Sequence, residues 1–182
     1  MRRTVTLVAH QGAQTAEKAY YLPEGVTAER LARKYLKDLG SLPSERSLAE
    51  RQYYAHPQNA FWPIMRELAG ATGTYEERCE RLVEARIALW DVLKQSVRPG
   101  SMDADIQLNT SEANDFEGFM LDHRKIGLIC FNGKKAEQMF HKFVQQETIR
   151  SQMRYEALPS TSPAYASMSF AEKLNKWRAI TG

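Results

Sequence analysis

Apolar positions along this chain follow two alternating rhythms, one helical and one continuous. Phe61, Ile64, Met65 and Leu68 recur at helical spacing, and Gly70 closes that run. Thr74-Tyr-Glu-Glu77 has the form of a capping box and opens a charged helix to about Ala85. Ile87-Ala-Leu-Trp-Asp-Val-Leu93 is a compact apolar run with the length of a buried strand. A polar loop through Pro99-Gly100 follows, and Phe116, Phe119 and Met120 then share one face of a helix from Asp115 to His123. Ile126-Gly-Leu-Ile-Cys-Phe131 reads as a second buried strand ending at Asn132-Gly133. Ala136, Met139, Phe140, Phe143 and Val144 mark an amphipathic helix. Residues 154–158 form a short strand, and Ser169-Phe-Ala-Glu172 caps a last helix with Leu174, Trp177 and Ile180 facing inward.

Alternating helices and short buried strands predict an α/β fold: a three-layer sandwich with a short, mainly parallel four-stranded central sheet flanked by helices. The amino-terminal region is less regular. Arg3 to Ala9 alternates like an exposed strand, Thr27 to Leu39 has a helical pattern, and Ser47-Leu-Ala-Glu50 resembles a further capping box. This divides the chain into an atypical amino-terminal segment, 1–39, and a main domain, 40–182.

The chain has 182 residues, enough for one domain with a proper core. A net charge of +3 permits contact with a polyanion without demanding it. Cys79 and Cys130 match no zinc spacing, and each lies in an apolar stretch, which favours buried free thiols over a disulfide. No apolar run approaches membrane-spanning length, and the start lacks the apolar stretch of a secretory signal. The expectation is a cytoplasmic monomer without membrane contact.

In an open parallel sheet, ligands bind beyond the carboxyl ends of the strands. Here those ends carry Trp90-Asp91, Asn132-Gly133 and the kinked loop Pro159-Ser-Thr-Ser-Pro163. Three segments, Gly40-Ser-Leu-Pro-Ser44, Tyr53-Tyr-Ala-His-Pro-Gln-Asn-Ala-Phe-Trp62 and Leu158-Pro-Ser-Thr-Ser-Pro163, occur in the order and spacing of the uracil-DNA glycosylase superfamily. The middle string resembles the hypoxanthine-DNA glycosylase branch most closely, and Trp90-Asp-Val and Phe131-Asn-Gly-Lys-Lys135 also fit it. The resemblance covers residues 40 to 180.

The resemblance implies hydrolysis of the N-glycosidic bond of a deaminated base (hypoxanthine, with uracil or xanthine as alternatives) flipped out of DNA. That chemistry opens base excision repair and needs no metal and no cofactor. Asn59 is the implied catalytic residue, since the first motif carries Ser41 rather than a carboxamide; Asn59 equally suits the cap of the helix bearing Phe61 and Trp62. His56 offers a donor to the leaving base or to a phosphate, or packs structurally beside Pro57. Ser41, Tyr53, Tyr54, Asp91 and Asn132 are the base-binding candidates. The tyrosines suit stacking or core packing, and Asp91 suits a ring N–H or a turn cap. Lys134, Lys135, Ser160, Ser162 and Tyr165 are the DNA-binding candidates, with Met168 the alternative to Tyr165 as a wedge between bases.

Two positions depart from the family pattern. Ser44 stands where the first motif normally ends in Gly, and charged Lys34-Tyr-Leu-Lys-Asp-Leu39 precedes it where an apolar strand is usual. Either residues 4–9 supply that strand from another position or residues 35–39 form it. The competing readings are a catalytically silent protein that binds damaged DNA and a mainly uracil-specific mismatch glycosylase.

Overall fold

The computed structural model describes residues 5–10, 47, 50, 52–97, 107–144 and 153–181. The expected helix at 27–39, the motif at 40–44 with Ser41, and the loop at Pro99-Gly100 lie outside the described residues.

Four parallel strands form the main sheet: β1 (Val5–His10), β2 (Ile87–Asp91), β5 (Ile126–Asn132) and β6 (Arg154–Leu158), in the order β2-β1-β5-β6. The strand expected to be exposed is therefore an interior one: β1 pairs with β2 on one side and β5 on the other. It supplies the strand that the charged segment at 34–39 is ill-suited to provide. Alternation by itself says nothing about a strand's neighbours, which is why its position was not legible.

The helices are α1 (Phe61–Ala69), α2 (Tyr75–Glu84), α3 (Phe116–Asp122), α4 (Lys134–Phe143) and α5 (Phe170–Trp177), the last running into a 3-10 turn at Arg178–Thr181. Both predicted capping boxes at Thr74/Glu77 and Ser169/Glu172 are present. Pro63 falls in the first turn of α1, where its missing N–H costs no helical hydrogen bond. Ser47 is itself helical and buried, and its hydroxyl accepts the Ala55 N–H at 3.3 Å.

Side chains alternate across the sheet and build two cores. Ile129 and Phe131 of β5 pack with Ala88, α3 and α4; Leu128 and Cys130 pack with Ile87, α1, α2 and Trp177 of α5. Helices thus cover both faces, giving the three layers that alternation implied. Phe61, Ile64, Met65 and Trp177 are fully enclosed, each contributing roughly 1.5–3 kcal/mol or more of burial. Both cysteines are thiols outside any disulfide, Cys130 buried and Cys79 half-buried.

The apolar run 87–93 is not one strand. The chain leaves the main sheet after Asp91, and β3 (Leu93–Val97) pairs antiparallel with β4 (Gln107–Ala113). Val92 and Leu93 are buried throughout this change of sheet, so hydrophobicity could not mark it. The strand β4 has too few apolar residues to announce itself. Part of its fastening is a cross-strand ion pair, Lys94 to Glu112 at 2.6 Å.

Candidate active site

The segment 52–60 lies over the carboxyl ends of the strands and is secured along its length. The Tyr53 N–H donates to Tyr75 Oη (3.1 Å), and the Tyr53 carbonyl accepts the Trp62 indole N–H (2.8 Å). Tyr54 stacks on Phe61, centroids 3.9 Å apart at 15°. Tyr54 also holds φ at +57°, a left-handed conformation costing an aromatic residue on the order of 1 kcal/mol or more. That strain sits at the second of the two adjacent tyrosines that meet the strand ends.

Each tyrosine hydroxyl engages a different strand end. Tyr53 Oη donates to Asp91 Oδ2 at 2.8 Å, at the end of β2. Tyr54 Oη accepts from Asn132 Nδ2 at 3.1 Å, at the end of β5. The Asn132 amide also joins the loop after β6: Nδ2 donates to Thr161 Oγ1 (2.8 Å) and Oδ1 accepts the Thr161 N–H (2.8 Å). Both Nδ2 hydrogens are thereby used. Thr161 is fully buried, and its carbonyl accepts the Ala60 N–H at 2.9 Å. Three sequence-distant segments therefore meet at Asn132 and Thr161.

Asn59 is half-buried beside this junction rather than enclosed by apolar packing. Its Oδ1 accepts the Phe61 N–H at 2.9 Å, and its own N–H donates to the His56 carbonyl at 2.8 Å. It thus tethers the first residue of α1, although Ala60 occupies the N-cap position itself. With Oδ1 identified by its backbone donor, Nδ2 is the amide's donor side. His56 is exposed, and its Nδ1 accepts the Gln58 N–H at 3.2 Å, so in the neutral ring Nε2 carries the proton.

Asp91 has the most unusual environment. The residue is half-buried, yet its Oδ1 is closed to solvent and has no hydrogen-bond partner among the described residues. Burial pushes its carboxyl up to about 7, opposed only in part by the Tyr53 hydrogen bond.

Gly133 joins β5 to α4 at φ +97°, and a Cβ there would stand 3.1 Å from Ser160 Cβ. This close approach brings the strand turn against the final loop. Gly133→Ala is expected to lose about 2 kcal/mol of stability, from backbone strain and the Ser160 contact. Urea denaturation measures it, and an unchanged midpoint would show that the turn relaxes freely.

Ser160 and Ser162 each turn inward on their own loop: Ser160 Oγ accepts the Ser162 N–H, and Ser162 Oγ accepts the Ala164 N–H. Lys134 is exposed and Lys135 half-buried at the start of α4. Tyr165 is exposed, and its carbonyl accepts from the ammonium of Lys173 at 2.7 Å. Lys173 was not anticipated: it is buried on α5, and burial lowers its pKa. Thr161 and Asn114 were also missed; Asn114 Nδ2 holds the Asp91 carbonyl at 2.8 Å. The sole signal for Thr161 was its central place in the Pro-Ser-Thr-Ser-Pro string. Among the described residues no group of three or more His, Cys, Asp or Glu is placed to hold a metal, and no helix is long and apolar enough to cross a membrane.

Comparison with known proteins points the same way as this geometry. A protein from Methanosarcina acetivorans named hypoxanthine DNA glycosylase is 38% identical over 147 residues, covering 78% of this chain and 87% of the relative. A protein of the same name from Methanosarcina barkeri is 38% identical over 101 residues, 54% of this chain and 63% of that relative. The solution NMR structure of a uracil DNA glycosylase candidate from Methanosarcina acetivorans superposes with a TM-score of 0.62 at 27% identity, covering 100% of this chain and 94% of that one. The model of the uracil DNA glycosylase superfamily matches residues 38–180, and the chain belongs to that superfamily.

Proposed function

We propose that the protein excises hypoxanthine from DNA by hydrolysing the bond between the base and its deoxyribose, the first step of base excision repair. The observation that carries this reading is the junction at Asn132 and Thr161. It holds the segment bearing His56 and Asn59 beside the carboxyl ends of β2 and β5, where the base-reading candidates stand. The naming of the two Methanosarcina relatives as hypoxanthine DNA glycosylases supports the choice of base.

The transition state places positive charge on the sugar and negative charge on the base. Asn59 is fixed by its own backbone and by Phe61, and its amide orients a water toward the anomeric carbon. An amide cannot act as a strong base at neutral pH, so its contribution is position and hydrogen bonding. His56, with its Nε2 proton outward of the Gln58 contact, donates to a phosphate or to the leaving base. Asn132, at the end of β5, stands among the residues that read the base. Tyr53 forms a wall for the base, while Tyr54, committed to Phe61 and Asn132, acts beneath it.

Backbone contact falls to Lys134, Lys135 and the loop from Ser160 to Tyr165. Cations at the start of α4 oppose the helix dipole by a few tenths of a kcal/mol, a cost a bound phosphate reverses. Lys134→Gln and Lys135→Gln are each expected to reduce the slope of log affinity against log salt by roughly one, leaving the melting temperature unchanged. Fluorescence anisotropy across a salt series checks this, and an unaltered slope would remove these lysines from the interface.

The test of function is release of free base from duplexes containing deoxyinosine, deoxyuridine or deoxyxanthosine, with protein in excess. Preferential release of hypoxanthine is expected. Binding without release of any base would establish a damage-recognition protein instead, and release of uracil alone would move the protein to the uracil-specific class.

A further inference from the structure

The Asp91 carboxyl is only half satisfied by its surroundings. Oδ2 accepts from Tyr53 Oη, while Oδ1 is closed to solvent and unpartnered among the described residues. Buried polar atoms in native proteins are nearly always paired, so an orphan at the carboxyl end of a parallel strand marks a place meant for a ligand group. The strand end itself is held: Asn114 binds the Asp91 carbonyl through its side chain and the Val92 carbonyl through its N–H. The carboxyl therefore cannot satisfy itself by swinging the backbone toward water.

The missing partner could be a donor or an acceptor, depending on the charge Asp91 carries. Among the described residues, only burial and the Tyr53 hydrogen bond bear on its ionisation. His10, the last residue of β1, is its register partner across the sheet, and Tyr53 is the titratable side chain in direct contact. No lysine or arginine among the described residues forms an ion pair with it. Burial around the carboxyl, already closed over Oδ1, favours the neutral acid. Since Oδ2 is engaged as an acceptor, the proton of that acid resides on Oδ1, where it is a donor awaiting an acceptor. The loop after β6, Leu158-Pro-Ser-Thr-Ser-Pro163, has no titratable group with which to protonate a departing base.

We propose that Asp91 is a catalytic general acid, whose Oδ1–H donates to an acceptor of the flipped purine, N7 or the 6-oxo oxygen, and transfers its proton as the glycosidic bond breaks. The proposal rests on the base-excision reading of the same site. The bond between C1′ and N9 breaks, its electron pair goes to the base, and the base leaves neutral with the Asp91 proton. Water adds to C1′ and gives up one proton, which restores the acid. Water is consumed, and an abasic site and free purine are formed.

The test is the pH profile of single-turnover release from deoxyinosine DNA, from about pH 5.5 to about pH 9. Wild-type release is expected to fall by up to about tenfold per pH unit above roughly pH 7, as the acid loses its proton. Asp91→Asn keeps an N–H donor but no transferable proton; it is expected to lower the rate about 50-fold at low pH and to abolish the fall. Tyr53→Phe removes the hydrogen bond that holds the carboxyl down, so its fall is expected to begin at higher pH. A merely structural Asp91 would move none of these limbs.

Folding provides the control. The carboxyl's pKa is raised from 3.8 to about 7, so its contribution to stability is full at low pH and is lost as pH rises through that window. At about pH 8 the Asp91→Asn variant is therefore expected to melt no lower than wild type. Release that rises with pH over this range, the mark of a carboxylate accepting a ring N–H, would overturn the proposal. So would a limb that persists in Asp91→Asn or stays in place in Tyr53→Phe. Wild-type protein that frees no base at any pH would instead defeat the underlying base-excision reading, and this proposal with it.

Discussion

Asn59→Ala is expected to release hypoxanthine about a thousandfold more slowly than wild type while remaining folded, the combined loss of a positioned water and a fixed amide. The structural loss is small because it is a single backbone tether at the start of α1. Such a tether is worth about 1 kcal/mol, or roughly 2–4 °C in a chain of this size. Asn59→Asp separates the two roles. It preserves an oxygen for the Phe61 N–H, and its charge is favourable at a helix start, but it lacks the amide hydrogens. It should therefore melt near wild type and still be impaired in release. Single-turnover assays on deoxyinosine duplexes, paired with thermal melts, give both quantities. Wild-type release by Asn59→Ala would remove Asn59 from the chemistry and leave it as a helix tether alone.

The layers of the fold were legible because their causes are local. Ile126–Asn132 and α4 announce themselves by uninterrupted burial and by helical periodicity, and capping boxes at Thr74 and Ser169 locate two helix starts to the residue. Sheet order was not legible. The exchange of β1 into the interior and the departure of the chain after Asp91 depend on pairing between distant segments, and apolar content is the same whichever partner is chosen.

The site divides along the same line. Asn59, Asp91 and Asn132 could be chosen from the motif strings, but the relations among them could not. Nothing in the strings places the Tyr53 hydroxyl on Asp91 or threads Thr161 onto Asn132. Thr161 and Lys173 escaped notice because a threonine in a loop and a lysine on a charged helix have ordinary exposed alternatives. Their burial becomes apparent only when the loop from Pro159 to Ser169 is folded over them.

The dependence of the whole site on one amide makes Asn132→Ala the substitution with the largest expected effect on stability. It removes two bonds to Thr161 and one to Tyr54, all in the interior. A made hydrogen bond contributes about 1 kcal/mol, and a buried donor left unpaired costs roughly 1–3 kcal/mol. The Thr161 N–H is such a donor, enclosed by a residue with no solvent exposure. The expected loss is about 4 kcal/mol, lowering the melting temperature by roughly 10 °C. Thr161→Val is the milder comparison: it keeps the backbone bond to Asn132 Oδ1 but takes the acceptor from one buried Asn132 Nδ2 hydrogen, so about 2 kcal/mol is expected. Base release should fall in Asn132→Ala even well below its melting temperature, because Ala60 and Asn59 are held to the final loop through Thr161. If Asn132→Ala melted within about 2 °C of wild type, water would be replacing the amide, and the junction could not be what positions Asn59.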